Sequence, residues 1–249
     1  EAMLAVVKVV GGGTPCEASE ALARKFWSQA SELVVARCDD YASALMAAPL
    51  AAKKSSPLVL LSQTVDLVKL TGDLKVQSLL FVGSGSGPEG LGLSQVHLQS
   101  AEDVFDALGK PDYLAIANPA DRELQSYRAT SALAPLLAAL RGGAVLPLSA
   151  AASASDVKEE IQQFVLSKGM PKHLALVGGP TAIPPHCQTG RLFNEQKCRD
   201  APYADLDEDI FMDVALGRVV GRDLSSTSLL VSRISNYEYV RDPESETKF

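Results

Sequence analysis

The stretch "YADLDEDIFMDVALGR" places four aspartates where they can do chemistry together. Asp205, Asp207, Asp209 and Asp213 stand at relative positions 1, 3, 5 and 9. Side chains at this spacing turn inward and offer oxygens to a hard cation, as in calcium-binding loops. Two residues depart from that pattern. Ile210 occupies the sixth position, where calcium loops use glycine for a sharp turn. A β-branched residue in left-handed geometry there costs about 1–2 kcal/mol. Leu216 stands at the twelfth position, where a bidentate Glu is usual. The alternative is an acidic turn before a strand, its carboxylates accepting backbone N–H groups. Calcium is therefore the one cofactor the sequence suggests, with these four aspartates as its ligands.

Other chemistry finds less support. Gly85, Gly87 and Gly90 match G-x-G-x-x-G after a strand. A phosphate site needs the last glycine to open a helix, and here Pro88 and the extended run "LGLSQVHL" follow. A Cys/His nucleophilic pair needs a thiol and an imidazole at neighbouring strand ends. His173 begins a strand, at the wrong edge of a parallel sheet for Cys38, and His186 and Cys187 are adjacent. No G-x-S-x-G occurs. The cysteines Cys16, Cys38, Cys187 and Cys198 show no zinc-ligand spacing. Their turn positions are compatible with the pairs Cys16–Cys38 and Cys187–Cys198 and an oxidising compartment, and equally with four unpaired thiols.

Composition narrows the partners. The 249 residues carry a net charge of −7, with 47% hydrophobic and 21% charged residues. An acidic chain without a basic stripe does not fit nucleic-acid binding. The most apolar region is broken by Pro135, Arg141, Gly142, Gly143 and Pro147, so no membrane span is expected. No basic segment precedes the opening run at Glu1, so no signal peptide is expected there.

The elements that must position these residues alternate. Short apolar runs ("MLAVVKVV", "ELVVARC", "SPLVLLS", "SLLFVG", "QVHLQ", "PDYLAIANP", "AVLPLS", "HLALVGG", "MDVALGRVV") read as strands between helical stretches. Ala18, Leu22, Phe26 and Ala30 predict the inner face of the first helix, and Pro49 predicts a kink or break in the second. "LQSYRATSALAPLLAALRGG" reads as one helix. "SASDVKEEIQQFVLSKG" reads as another, buried through Val157, Ile161, Phe164 and Val165. Residues 180–202 read as a loop. The pattern predicts an α/β fold of parallel sheets covered by helices. An internal echo between "SALMAAPLAAKKSSPLVLLS" and "SALAPLLAALRGGAVLPLS" divides the chain into two Rossmann-like modules, 1–109 and 110–249.

Residues 4–85 resemble the type 2 bacterial cell-wall-binding repeat of clostridial surface-layer proteins. Asp40, Ala44, Leu45, Ala47, Ala48, Pro49, Leu50, Ala51 and Pro57 carry the resemblance. The usual arginine-glycine opening is replaced by "VVGGGTPC". Residues 111–240 resemble the N-terminal region of gingipain-type (family C25-like) cysteine peptidases, through Asp200, Tyr203, Asp207, Gly217, Arg218, Tyr237 and Glu238. That resemblance implies part of a caspase-like unit whose catalytic His-Gly and Cys follow this segment. The first resemblance implies an extracellular or cell-surface location and a module that binds a cell-surface polymer or a protein partner. The expected role is a non-catalytic binding or scaffold module of a larger surface protein. The alternative is the N-terminal part of a gingipain-like peptidase whose catalytic His and Cys lie beyond this chain.

Overall fold

A computed structural model describes residues 13–121, 129–149, 153–189 and 196–237. The expected strand "MLAVVKVV" and Glu238 lie outside the described residues. Helix α1 (Pro15–Phe26) starts at a capping box, in which Thr14 and Glu17 each bond the other's backbone N–H. Two orphan donors of the first turn are satisfied this way. Strand β1 (Glu32–Arg37) leads to α2 (Tyr41–Lys54), capped by Asp40. Then come β2 (Leu58–Leu61), α3 (Leu67–Asp73), β3 (Ser78–Val82), β4 (Ser94–Leu98) and α4 (Ala101–Ala107). These four strands form one parallel sheet in the order β2-β1-β3-β4.

The second sheet repeats that order. Its strands are β5 (Tyr113–Ala117), β6 (Ala144–Pro147), β7 (His173–Val177) and, after a hairpin, β10 (Ala215–Val219). They are parallel and lie as β6-β5-β7-β10. In each sheet the chain order is thus 2-1-3-4, which reverses between the first and third strands. Helix α5 (Ala134–Leu140) connects β5 to β6, α6 (Ala154–Lys168) connects β6 to β7, and α7 (Leu224–Ser235) follows β10. The α/β reading of parallel sheets covered by helices holds.

Helix α2 joins the sheets. Its sequence is apolar on every face, as a helix buried all round must be. It packs on β1 on one side and on α5 and β6 on the other. Met46, Ala47, Leu50 and Ala51 enter a core cluster that also holds Phe105 of α4 and Ile161 and Phe164 of α6. Phe105 and Phe164 meet edge to face at 5.2 Å. Leu45 enters a second cluster with Ala115, Leu137 and Val177. A hydrogen-bonded chain reinforces the seam. Tyr41 lies 2.9 Å from the Ser131 hydroxyl, which donates to buried Asp121 at 2.5 Å.

Four expectations change. Helix α1 buries Cys16 and Ala23, while Leu22 and Phe26 are exposed and Ala30 lies past its end. The Cys16–Cys38 bond and the Ser19 hydroxyl, which accepts from Leu60 N, pin the other stripe to the sheet. Helix α2 runs through Pro49 without a break. Proline in a helix interior costs about 3 kcal/mol, and burial on both sides of α2 offsets it. The helix expected over 124–143 is, where described, a 3-10 turn (Thr130–Leu133) followed by α5, because Pro135 suits only a first helical turn. The expected loop over 180–202 contains an antiparallel hairpin, β8 (His186–Thr189) with β9 (Gln196–Arg199). By contrast Val157, Ile161, Phe164 and Val165 are all buried, as the spacing on α6 requires.

Candidate functional site

The acidic loop hangs between a 3-10 turn (Ala201–Tyr203) and β10. Asp205, Asp207 and Asp209 bring carboxylate oxygens within 4.8 Å of one another. Asp213 acts on the backbone: its Oδ2 accepts Leu206 N at 2.7 Å and Asp207 N at 3.3 Å. Asp207 accepts Asp209 N and Asp209 accepts Phe211 N. The backbone bonding of a closed acidic turn and the clustering of a cation loop are therefore both present. One oxygen, Asp205 Oδ1, is buried without a hydrogen-bond partner. Glu208 and Ile210 take left-handed conformations, φ 67° and 74°. Ile210 thus has the geometry that a sixth-position glycine gives, at the cost expected for a β-branched residue. Gln162 of α6 donates to Leu206 O and ties the loop to the body.

Arg218 on β10 organises the neighbouring loops. Its guanidinium forks onto Asp200 at 2.7 and 2.6 Å, and Nη1 donates to Gly178 O and Ile183 O. Asn118, after β5, donates to Ala182 O. These bonds fill the space beyond the carboxyl ends of β5 and β7. Tyr203 is fully buried and donates to Pro184 O. Burial pushes its phenol up to about 12, against the pull of Arg218, with Asp200 adding to the rise. His186 lies edge-on to Tyr203 at 4.7 Å, and its Nε2 is buried without a partner. Burial, with Lys158, holds its imidazole below the usual histidine range.

The equivalent position in the first sheet is open. Beyond β1 and β3 lies a cleft of about 530 Å³ lined by Arg37, Cys38, Ser62, Gln63, Ser86 and others. A second hollow of about 960 Å³ continues past Arg37, Tyr41 and Ser84 to Pro119 and Ser149 of the other sheet. Parallel sheets bind ligands outside their carboxyl strand ends, where strand order reverses. Arg37 forks onto Asp39 at 3.0 and 2.8 Å, in solvent. Gly85, Gly87 and Gly90 lie between β3 and β4, with no helix opening at the last of them. In the sequence Cys38 and Gly87 stand out for other reasons, a disulfide and a glycine motif; only the place of these residues after parallel strands points to a cleft.

Both disulfides form, Cys16–Cys38 and Cys187–Cys198, and no cysteine is free. No thiolate is left to pair with a histidine. His97 bonds Gly83 O, and His173 opens β7, away from the carboxyl ends.

Residues 106–248 match the family described as peptidase family C25. The chain belongs to peptidase family C25. This C25 member also matches cell wall binding domain 2 (CWB2) over residues 10–87. No curated protein matches it. Among solved structures the C25 member is similar to Cwp6 from Clostridium difficile, with a TM-score of 0.61 and 14% identity over 93% of this chain and 38% of that one. It is also similar to Cwp8 from Clostridium difficile, with a TM-score of 0.55 and 17% identity over 90% of this chain and 37% of that one. It spans under half the length of either, and at these identities the likeness is one of fold. The cell-wall-binding match and the two disulfides place the C25 member at a cell surface. Among the described residues no helix is long and apolar enough to cross a membrane.

Proposed function

We propose that this chain is a non-catalytic binding or scaffold module of a larger surface protein. It engages a cell-surface polymer or a protein partner through the cleft beyond β1 and β3. The carrying observation is the cell-wall-binding match over residues 10–87, the segment that supplies both of those strands and all of the cleft's lining but Pro88. Cosedimentation with purified cell-wall polymer tests it. Gln63→Trp should block the cleft and abolish binding with the circular dichroism unchanged, whereas Leu166→Ala, on exposed α6 surface, should bind as wild type. Equal binding by both variants overturns the cleft assignment.

The acidic loop is a second part of the proposal. Asp205, Asp207 and Asp209, with Asp213 closing the turn, would hold calcium weakly, on the order of 10⁻⁴–10⁻³ M. The clustered carboxylates and the unpartnered Asp205 oxygen support this. Saturating ion at 100 times the dissociation constant raises stability by about 2.7 kcal/mol. Ile210→Gly should raise the calcium-induced melting shift by relieving the left-handed turn, and Asp207→Asn should reduce it. Melting curves identical in calcium and chelator for all three proteins rule the site out. The division into modules 1–109 and 110–249 is likewise a proposal, supported by the shared 2-1-3-4 strand order.

A second reading is favoured by the C25 match: the N-terminal part of a cysteine peptidase whose catalytic His and Cys lie beyond this chain. The chain alone should then leave Arg- and Lys-containing fluorogenic peptides intact. Turnover lost on substituting a single cysteine would overturn both readings.

A further inference from the structure

The two disulfides differ in how a thiol can reach them. Cys16, in the first turn of α1, is 5% exposed, and its bond to Cys38, half-buried at the edge of the cleft, ties that helix to the end of β1. Cys187 and Cys198 are both exposed. They are directly opposed partners in the β8–β9 hairpin, which pairs with neither parallel sheet. Thiol–disulfide exchange begins with thiolate attack on sulfur, so access governs it, and exposed disulfides are the labile ones.

The hairpin also holds structure outside itself. His186, beside Cys187, lies against Tyr203. Asp200 follows the last residue of β9 and forks onto Arg218, whose remaining bonds fix Gly178 O and Ile183 O. We propose that Cys187–Cys198 is a thiol-responsive clasp. A dithiol opens it and leaves Cys16–Cys38 intact, and the grip of Asp200 on Arg218 loosens with the hairpin.

The exchange balances. One thiolate of the dithiol attacks a hairpin Sγ and displaces the other as a cysteine thiolate. The second thiol of the reagent then closes to its cyclic disulfide and releases the remaining cysteine. The protein bond gains two electrons and two protons, and the dithiol loses them.

The test treats the oxidised chain with graded dithiothreitol, alkylates it and maps the peptides, with hydrogen exchange measured in parallel. Cys187 and Cys198 should label at about tenfold lower dithiol than Cys16 and Cys38. Exchange should rise across Cys198–Tyr203 and β10 while β1, β3 and β5 stay protected. Joint opening of the two bonds, or earlier opening of Cys16–Cys38, overturns the proposal. So does unchanged exchange around Asp200 and Arg218 once the hairpin cysteines are labelled. The double variant Cys187→Ser, Cys198→Ser should show the loosened pattern without thiol; the oxidised wild-type pattern in that variant also counts against the clasp.

Discussion

The two parallel sheets have the same strand order and opposite uses of it. Beyond the first and third strands of the first sheet lies an open cleft bordered by serines, Gln63 and Arg37. At the same place in the second sheet, Arg218, Asp200 and Asn118 tie down residues 178–183 and fill the space. Each position has an arginine forked onto an aspartate. The Arg37–Asp39 side chains are 50% and 69% exposed, those of Arg218–Asp200 only 12% and 27%. The topology supplies a ligand position, and the loops decide whether it stays free or becomes structural. The difference leaves the first sheet's position free, as the proposed binding role requires, and gives the second's over to rigidity.

The largest effect should come from the seam. Phe105→Ala removes the edge of the Phe105–Phe164 contact and should cost about 3–5 kcal/mol. Chemical denaturation followed by probes in both sheets should show one transition moving as a unit. A second-sheet probe that stays put would separate the two regions and break the comparison at its base.

Next comes the buried arginine. Asp200→Ala leaves the Arg218 guanidinium largely buried and short of its partner, a loss of about 3 kcal/mol. Asp39→Ala exposes Arg37 to water, where ion pairs contribute little, and its midpoint should not move. Equal losses for the two would show that the open and filled positions are not distinguished by burial.

Titration gives the smallest effects, and two groups shifted by burial beside the second sheet should show in them. His186 is held below the usual histidine range by burial, so the unfolded chain takes up its proton first. Stability should fall as pH drops below the unfolded value of about 6.5 and level off below the folded one. Tyr203 is raised to about 12, so the folded chain keeps a proton that the unfolded chain sheds from about pH 10. Stability should therefore decline between those values. His186→Phe should flatten the acid limb and Tyr203→Phe the alkaline one. Limbs unchanged in both variants would assign the pH dependence elsewhere.

These positions were unevenly legible in the sequence. The face of α6 could be read because 3.6-residue spacing alone selects Val157, Ile161, Phe164 and Val165. The face of α1 could not, since a disulfide and one serine hydroxyl choose the stripe. Asp200, Tyr203 and Arg218 drew notice as parts of a family pattern, but their roles follow from pairing across strands, which local periodicity does not encode. The β8–β9 hairpin was hidden by its polar, cysteine-bearing composition. The cleft depends on strand order, so no single stretch announces it. Among the acidic residues, the spacing foretold the clustering of Asp205, Asp207 and Asp209. It did not foretell that Asp213 would be committed to Leu206 N and Asp207 N.

The position of α2 has a kinetic consequence. Its inner face meets β1 as soon as the first strands form, but its outer face, with Leu45, meets only α5, β6 and their neighbours. Ribosomes add about 5–20 residues per second, so several seconds separate the emergence of Lys54 from that of Pro147. During that interval the early part of the chain carries an uncovered apolar helix. Conditions that slow elongation or release truncated chains should therefore favour aggregation through α2, before the second sheet arrives to cover it.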